Sequence, residues 1–290
     1  MRLGIIGTGN MGGGMLHRAR DVGHQVLGYA RSEKSKESLS STGARVYDSV
    51  SALVDESDSV VTCLPNADVV ETVSRALLPA LRSGQVWVDA TSSRPETSKR
   101  LHAQCREKGV VFADASLIGG AAQARSGKLV SVVGCLADEL LRVSNVTDIY
   151  SKATIRMGDA GAGNTAKILN NFVSQGTSAL VIQAFAMARR AGLDQKNLLE
   201  AFGNGAAQSA ILEKMVPPTL RGEYHHGGFS IANARKDLKY AEELSLALTG
   251  HGSPTACAAA AFLDTAIQNG MGEAFTSTLL NPEIYDALAE

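Results

Sequence analysis

Two short stretches of this chain carry residues whose types and spacing can do chemistry. The first is Gly7-Thr8-Gly9-Asn10-Met11-Gly12, directly behind an apolar run at residues 3–6. Gly7 permits a tight turn, Gly9 lets the backbone approach a pyrophosphate, and Gly12 lets the next helix lie close to the strand. The start of that helix supplies backbone N–H groups to phosphates. The second stretch is a polar stripe, Asn164, Lys167, Asn171, Ser174 and Ser178, at spacings of 3, 4, 3 and 4. Those spacings put all five on one helix face. Around them stand Ile168, Leu169, Phe172, Val173, Leu180, Val181 and Ile182, a composition that predicts a buried helix. A lysine there is costly unless it has a partner or faces a wet cavity. Burial or a nearby cation brings its pKa down from about 10.4 toward the working pH, where acid–base catalysis is most effective. The plain alternative is a solvated stripe on a half-exposed helix. The glycine-rich segment 161–163 in front of the stripe favours a face lining a cleft.

The end of the second strand selects the dinucleotide. An NAD site carries Asp or Glu there, about 20 residues past the glycines, to accept the ribose hydroxyls. This chain reads Val26-Leu27-Gly28-Tyr29-Ala30-Arg31-Ser32, with no carboxylate. Arg31 can grip a 2′-phosphate through a charge-assisted fork and stack on the adenine, Ser32 can add a hydroxyl, and Lys34 or Lys36 a further charge. NADP is the expected cofactor, with NAD possible.

These residues need a frame. Short β-branched runs at residues 2–7, 25–30, 45–47, 59–64, 86–90, 110–113 and 129–134 alternate with helical stretches, notably 66–80 and 95–108. Such alternation predicts an α/β fold with a Rossmann-type, doubly wound parallel sheet. Beyond residues 158–163 no strand is expected. Helices are predicted at 164–191, 194–202, 207–220, 231–248 and 254–269, so a dinucleotide-binding domain over 1–160 is followed by an all-helical substrate and oligomerisation domain over 161–290. Ligands are expected in the cleft between the two.

Composition removes other classes. The 290 residues carry a net charge of −1 with the charges mixed, so no basic stripe argues for nucleic acid. No apolar stretch is long enough to span a bilayer. Cys63, Cys105, Cys135 and Cys257 are scattered, which fits reduced thiols and a cytoplasmic protein better than disulfides or zinc. His225-His226 reads as a loop, and no metal is expected. The Ala-rich stretches at 178–191 and 256–261 could pack against a partner chain, so a homodimer or homotetramer is expected.

Gly161-Ala-Gly163-Asn164-Thr-Ala-Lys167-Ile-Leu-Asn170-Asn171 resembles the G-x-G-x-x-x-K-x-x-N-N motif of the β-hydroxyacid dehydrogenases. The likeness covers the whole chain. It extends to the glycine fingerprint, Cys63-Leu64-Pro65-Asn66, Val88-Asp89-Ala-Thr91-Ser92, Gly228-Phe229, and Lys236-Asp237-Leu238. The resemblance implies Lys167 as the acid/base that protonates a carbonyl oxygen as hydride arrives. It implies Asn171 as a residue holding the substrate or the lysine, and Leu64, Pro65, Asn66, Ser92, Phe229 and Lys236 as cofactor neighbours. Asp237 would fix its helix.

The family's substrate loop reads D-A-P-V-S-G-G, whereas this chain has Asp114-Ala-Ser116-Leu117-Ile118-Gly119-Gly120. Ile118 stands where a serine hydroxyl helps bind the substrate carboxylate. The acid must then rely on the Gly119 and Gly120 N–H groups, on Asn171, or on another residue. The expected activity is NADPH-dependent interconversion of a small 3-hydroxy acid and its aldehyde or ketone (a semialdehyde, for example). The rival readings are an imine reductase on the same scaffold and a nucleotide-sensing module without catalysis. Lys167 argues against the first, and Lys167 with Asn171 and Lys236 against the second.

Overall fold

Strands that are apolar on both faces, separated by amphipathic helices, are stable only with helices packed on both sides of them. The computed structural model, which describes residues 1–30, 33–226 and 229–289, has that arrangement in its first half. The strands are β1 (Arg2–Ile6), β2 (Gln25–Tyr29), β3 (Arg45–Tyr47), β4 (Ser59–Thr62), β5 (Val86–Asp89), β6 (Val111–Ile118), β7 (Leu129–Gly134) and β8 (Ser151–Gly158). They form one sheet in the order β3-β2-β1-β4-β5-β6-β7-β8. The order reverses between β1 and β4, the switch point at which such sheets open a crevice at their carboxyl ends. The helices among these strands are α1 (Asn10–Asp21), α2 (Glu33–Ser40), α3 (Val50–Glu56), α4 (Ala67–Ala80), α5 (Pro95–Glu107), α6 (Ala121–Ser126) and α7 (Leu140–Thr147).

Side chains alternate across the sheet, as the strand period of two requires. Leu3, Ile5, Val61, Val88 and Ala113 enter a core with Met15, Leu16 and Tyr150. Ile6, Val60, Trp87 and Phe112 enter the other with Leu53 and Leu101. Trp87 and Phe112 meet edge to face at 4.9 Å.

Two features depart from the expected parallel sheet. β6 runs on to Ile118 and pairs antiparallel with β7, from Asp114 opposite Gly134 to Ile118 opposite Val130. Only residues 119–128 connect them, too few for the dozen or more that a parallel crossover takes. The eighth strand, β8, was not expected. It is an edge strand carrying Lys152 and Arg156, and Ile155 and Met157 on its outer side are each 48% exposed. Charges on an edge blunt its pairing and break the apolar run that signals a strand.

The long helix α8 (Ala162–Arg190) is followed by α9 (Gln195–Gly203), α10 (Ala210–Thr219), α11 (Ile231–Thr249), α12 (Pro254–Gln268) and α13 (Pro282–Ala289), with no further strand among the described residues. The chain forms two compact units, Met1–Lys167 and Ile168–Glu290, so the dividing point lies inside α8. The second unit has its own core, built on Ile182, Phe185, Leu212, Val216, Ile231, Leu238 and Leu263. Ala256, Ala259 and Ala260 are buried within the chain, so that part of the Ala-rich stretch is not left for a partner. No helix among the described residues is long and apolar enough to cross a membrane.

α8 is not buried on all sides. Its polar residues Asn164, Asn171 and Ser178 are buried while Leu169, Val173, Leu180 and Met187 are exposed. Hydrogen bonds make the inversion tolerable: the Asn171 amide donates to Asp237, and the Ser178 hydroxyl to the Ser174 carbonyl.

Candidate active site

β1 ends in the glycine turn. Gly7 has φ +96°, and a Cβ there would lie 2.2 Å from the Cys63 carbonyl oxygen. A Cβ on Gly12 would lie 1.9 Å from the Gly7 carbonyl oxygen, so both positions require glycine for packing alone. Gly9 differs. It is exposed, and its Cβ would meet nothing within 4 Å. Gly9 is also the residue that caps α1, and no side chain bonds there. Open space in front of an uncapped helix start suits an anionic ligand such as a pyrophosphate, so the residues fit the dinucleotide. Thr8 and Met11 are half-buried beside this opening and Asn10 is exposed. Cys63, behind the turn, receives the Gly12 N–H, and burial pushes its thiol up to about 12. It stays protonated and is no nucleophile.

The ends of β4 and β5 are locked together. The Leu64 N–H donates to Thr91 Oγ1 at 2.9 Å, and Asn66 caps α4 by accepting the Val69 N–H at 3.0 Å. Pro65 is exposed and Ser92 half-buried. Beneath them the fully buried Asp89 accepts the Thr62 hydroxyl at 2.8 Å and the Thr91 N–H at 3.2 Å through Oδ1. Its Oδ2 has no partner among the described residues, and burial pushes the carboxyl up to about 6. Between the ordinary value of 3.8 and this one, the folded chain binds more protons than the unfolded chain. Stability contributed by Asp89 is therefore present at low pH and lost as pH rises through about 6, on the order of 3 kcal/mol in all. In urea unfolding, Asp89→Asn should remove that share of the decline between pH 3 and pH 7. An unchanged slope would show that Asp89 titrates in the fold as it does in the unfolded chain.

α8 starts in a polar lock. Asp114, fully buried on β6, accepts the Gly161 N–H through Oδ1 and the Asn164 N–H through Oδ2, each at 2.7 Å. Burial pushes this carboxyl up to about 7, against the pull of those two donors. The Asn164 side chain accepts the Ser93 N–H and the Ser116 hydroxyl, both at 2.8 Å, and donates to Ser98 Oγ at 2.9 Å. Lys167 follows one turn later and is half-buried.

In the loop expected to take the substrate, Ile118 closes β6 half-buried and Gly119 has φ +124°. The Gly120 N–H donates to Gln123 Oε1 at 3.0 Å. That amide, expected to take a substrate acid, is thus engaged in capping α6. In the second unit, Asn171 Nδ2 donates to Asp237 Oδ2 at 2.6 Å, and Lys236 stands 3.4 Å from Asp237 Oδ1. Phe229 packs partly on the helical core.

Comparisons with known proteins decide the family. The description "NAD binding domain of 6-phosphogluconate dehydrogenase" matches residues 2–158, and "NAD-binding of NADP-dependent 3-hydroxyisobutyrate dehydrogenase" matches 161–282. The chain belongs to the β-hydroxyacid dehydrogenase family. It is 30% identical to 2-(hydroxymethyl)glutarate dehydrogenase of Eubacterium barkeri, over 84% of this chain and 82% of that protein. It is 28% identical to mitochondrial 3-hydroxyisobutyrate dehydrogenase of Mus musculus, over 83% and 75%. A solved structure of 3-hydroxyisobutyrate dehydrogenase from Mycobacterium tuberculosis with L-serine superposes with a TM-score of 0.87 at 26% identity, covering 96% of this chain and 97% of that one.

As a β-hydroxyacid dehydrogenase the protein is an NAD(P)-dependent oxidoreductase acting on a hydroxy acid. Gly7, Thr8, Gly9, Asn10, Met11, Gly12, Leu64, Pro65, Asn66 and Ser92 stand at the carboxyl ends of β1, β4 and β5, where such sheets hold a dinucleotide. Lys167 and the loop 118–120 belong to the same unit, while Asn171, Phe229 and Lys236 belong to the second. Arg31, Ser32 and Gly228 lie outside the described residues. Sequence reasoning missed Gln123 and the lock at Asn164. The signal for Asn164 was present, since it opens the polar stripe and a polar residue there needs buried partners.

Proposed function

We propose that this β-hydroxyacid dehydrogenase is an NADPH-dependent reductase, or reversible dehydrogenase, of small 3-hydroxy acids and the matching aldehydes or ketones, with Lys167 as its acid/base. One observation carries the reading. The half-buried Lys167 sits one turn past a helix start fixed by five hydrogen bonds to β6, α5 and the loop after β5. An ammonium held at a fixed place can protonate a carbonyl oxygen and, as the amine, take the proton back. A nicotinamide bound there would supply or accept the hydride at the carbonyl carbon. Gly9 and the first turn of α1 would hold the pyrophosphate, with Leu64, Asn66 and Ser92 beside it.

NADPH oxidation tests this reading with succinic semialdehyde, glyoxylate and tartronate semialdehyde, run beside a cyclic imine. Turnover of one or more semialdehydes or oxoacids supports it. Turnover of the imine alone would replace it with an imine reductase, and no turnover with tight NADPH binding would leave a sensor.

Ile118 tunes the substrate. It offers no hydrogen-bond donor, and the neighbouring Gly120 N–H is engaged by Gln123. A lost hydrogen bond to an anion is worth about 1.5–3 kcal/mol, so Ile118→Ser should improve kcat/KM on 3-hydroxyisobutyrate by roughly tenfold. Good native activity on that compound with no gain in the serine variant would make the departure neutral.

A further inference from the structure

We propose that Asn164 is a positioning residue for catalysis, acting through Lys167; the inference rests on the reading of Lys167 as the acid/base. Asn164 is fully buried, and each polar atom of its side chain is engaged. Its Oδ1 accepts from the Ser93 N–H and the Ser116 hydroxyl, and its Nδ2 donates to Ser98 Oγ. Its own N–H goes to Asp114 Oδ2. One residue thus ties the first turn of α8 to the loop after β5, to α5 and to β6.

Backbone contact closes the other side of that turn. A Cβ on Gly163 would lie 2.5 Å from the Asp114 carbonyl oxygen and 2.6 Å from that of Val132, so the helix rests directly on β6 and β7. A Cβ on Gly134 would lie 2.4 Å from Asp114 Oδ1. With main chain on one side and three side-chain bonds on the other, the turn can neither rotate nor slide. Lys167 is three residues on, on the same helix face. The orientation of its ammonium is inherited from this turn. A displacement of about 1 Å at such a group costs roughly a hundredfold in rate. Replacing Asn164 with Ala would leave the Ser93 N–H and the Ser98 hydroxyl without this partner, leave Ser116 with only the Thr91 carbonyl, and let the turn drift.

The experiment is a double-mutant cycle on kcat, with saturating NADPH and glyoxylate or succinic semialdehyde, whichever turns over faster. Asn164→Ala should lower kcat roughly ten- to a hundredfold, with NADPH affinity by fluorescence titration held within about twofold. In a Lys167→Ala background the same change should move kcat by less than about twofold, because residues that act as a unit are not additive. An undiminished loss in that background would overturn the inference, as would an unchanged kcat or a loss carried by NADPH affinity alone. Should Lys167→Ala by itself keep full turnover, the Lys167 reading fails first, and it fails on a variant in which Asn164 is intact. Ser116→Ala removes one bond of the lock and keeps the test open if the alanine at 164 does not fold. It should lower kcat roughly two- to fivefold, again only while Lys167 is present.

Discussion

Lys167→Ala is expected to lower turnover in carbonyl reduction by at least about a hundredfold, the lower range for a general acid–base group. Affinity for NADPH should change little, because the pyrophosphate opening at Gly9 is built by other elements. The sign of the pH dependence follows from the two directions. Reduction needs the ammonium, so its rate should fall as pH rises through the lysine's pKa. Oxidation needs the amine, so its rate should rise over the same range. The alanine variant should lose both limbs, leaving a slow and flat profile. Stopped-flow measurement of NADPH absorbance across pH separates this from a general loss of fold, which would also weaken cofactor binding. A variant keeping more than about half its activity at every pH would remove Lys167 from the mechanism.

The parts of this protein that could be read from the chain are those fixed by local rules. Gly7 and Gly12 are required by contacts inside a single strand–turn–helix unit, and the short spacing shows it. The five helices expected after residue 160 end within a few residues of where caps and glycines place them; α11, for example, runs from its cap at Ser230 to Gly250, whereas α13 was not expected. The parts that were not legible are set by distant partners. β6 outlasts its expected length because β7 returns beside it, and nothing near residues 114–118 announces that pairing. β8 is stabilised on one edge only, and its charges hide the strand period. The apolar stripe of α8 predicts burial, yet Leu169, Val173, Leu180 and Met187 face outward, since Asp237, 66 residues beyond Asn171, supplies the partner that makes the polar side the buried one. Around the candidate site, the hydrogen-bond network at Asn164 joins residues 48 to 71 positions apart, and residue types alone do not announce it.

The largest expected effect on cofactor choice is at Arg31. β2 ends at Tyr29 and is followed by the buried Ala30, so no carboxylate waits at the strand tip for ribose hydroxyls. Arg31 lies outside the described residues, and the expectation rests on its type and place in the chain. Lys36, a candidate for added charge, contributes less than its position suggests. Its ammonium is held by Asp48 at 2.6 Å and Glu33 at 2.8 Å. A 2′-phosphate is therefore expected to depend mainly on Arg31, with Ser32 next in the chain and Lys34 as the further charge. A charge-assisted contact of about 1.5–3 kcal/mol should give NADPH roughly a ten- to hundredfold advantage over NADH. Arg31→Asp removes the fork and places a carboxylate where it repels that phosphate and accepts ribose hydroxyls. The ratio of kcat/KM for NADPH to that for NADH should then fall by about the same factor or invert. Equal efficiency with the two cofactors in the unaltered protein is enough to reject the assignment, because an arginine engaged on a 2′-phosphate cannot leave the two indistinguishable.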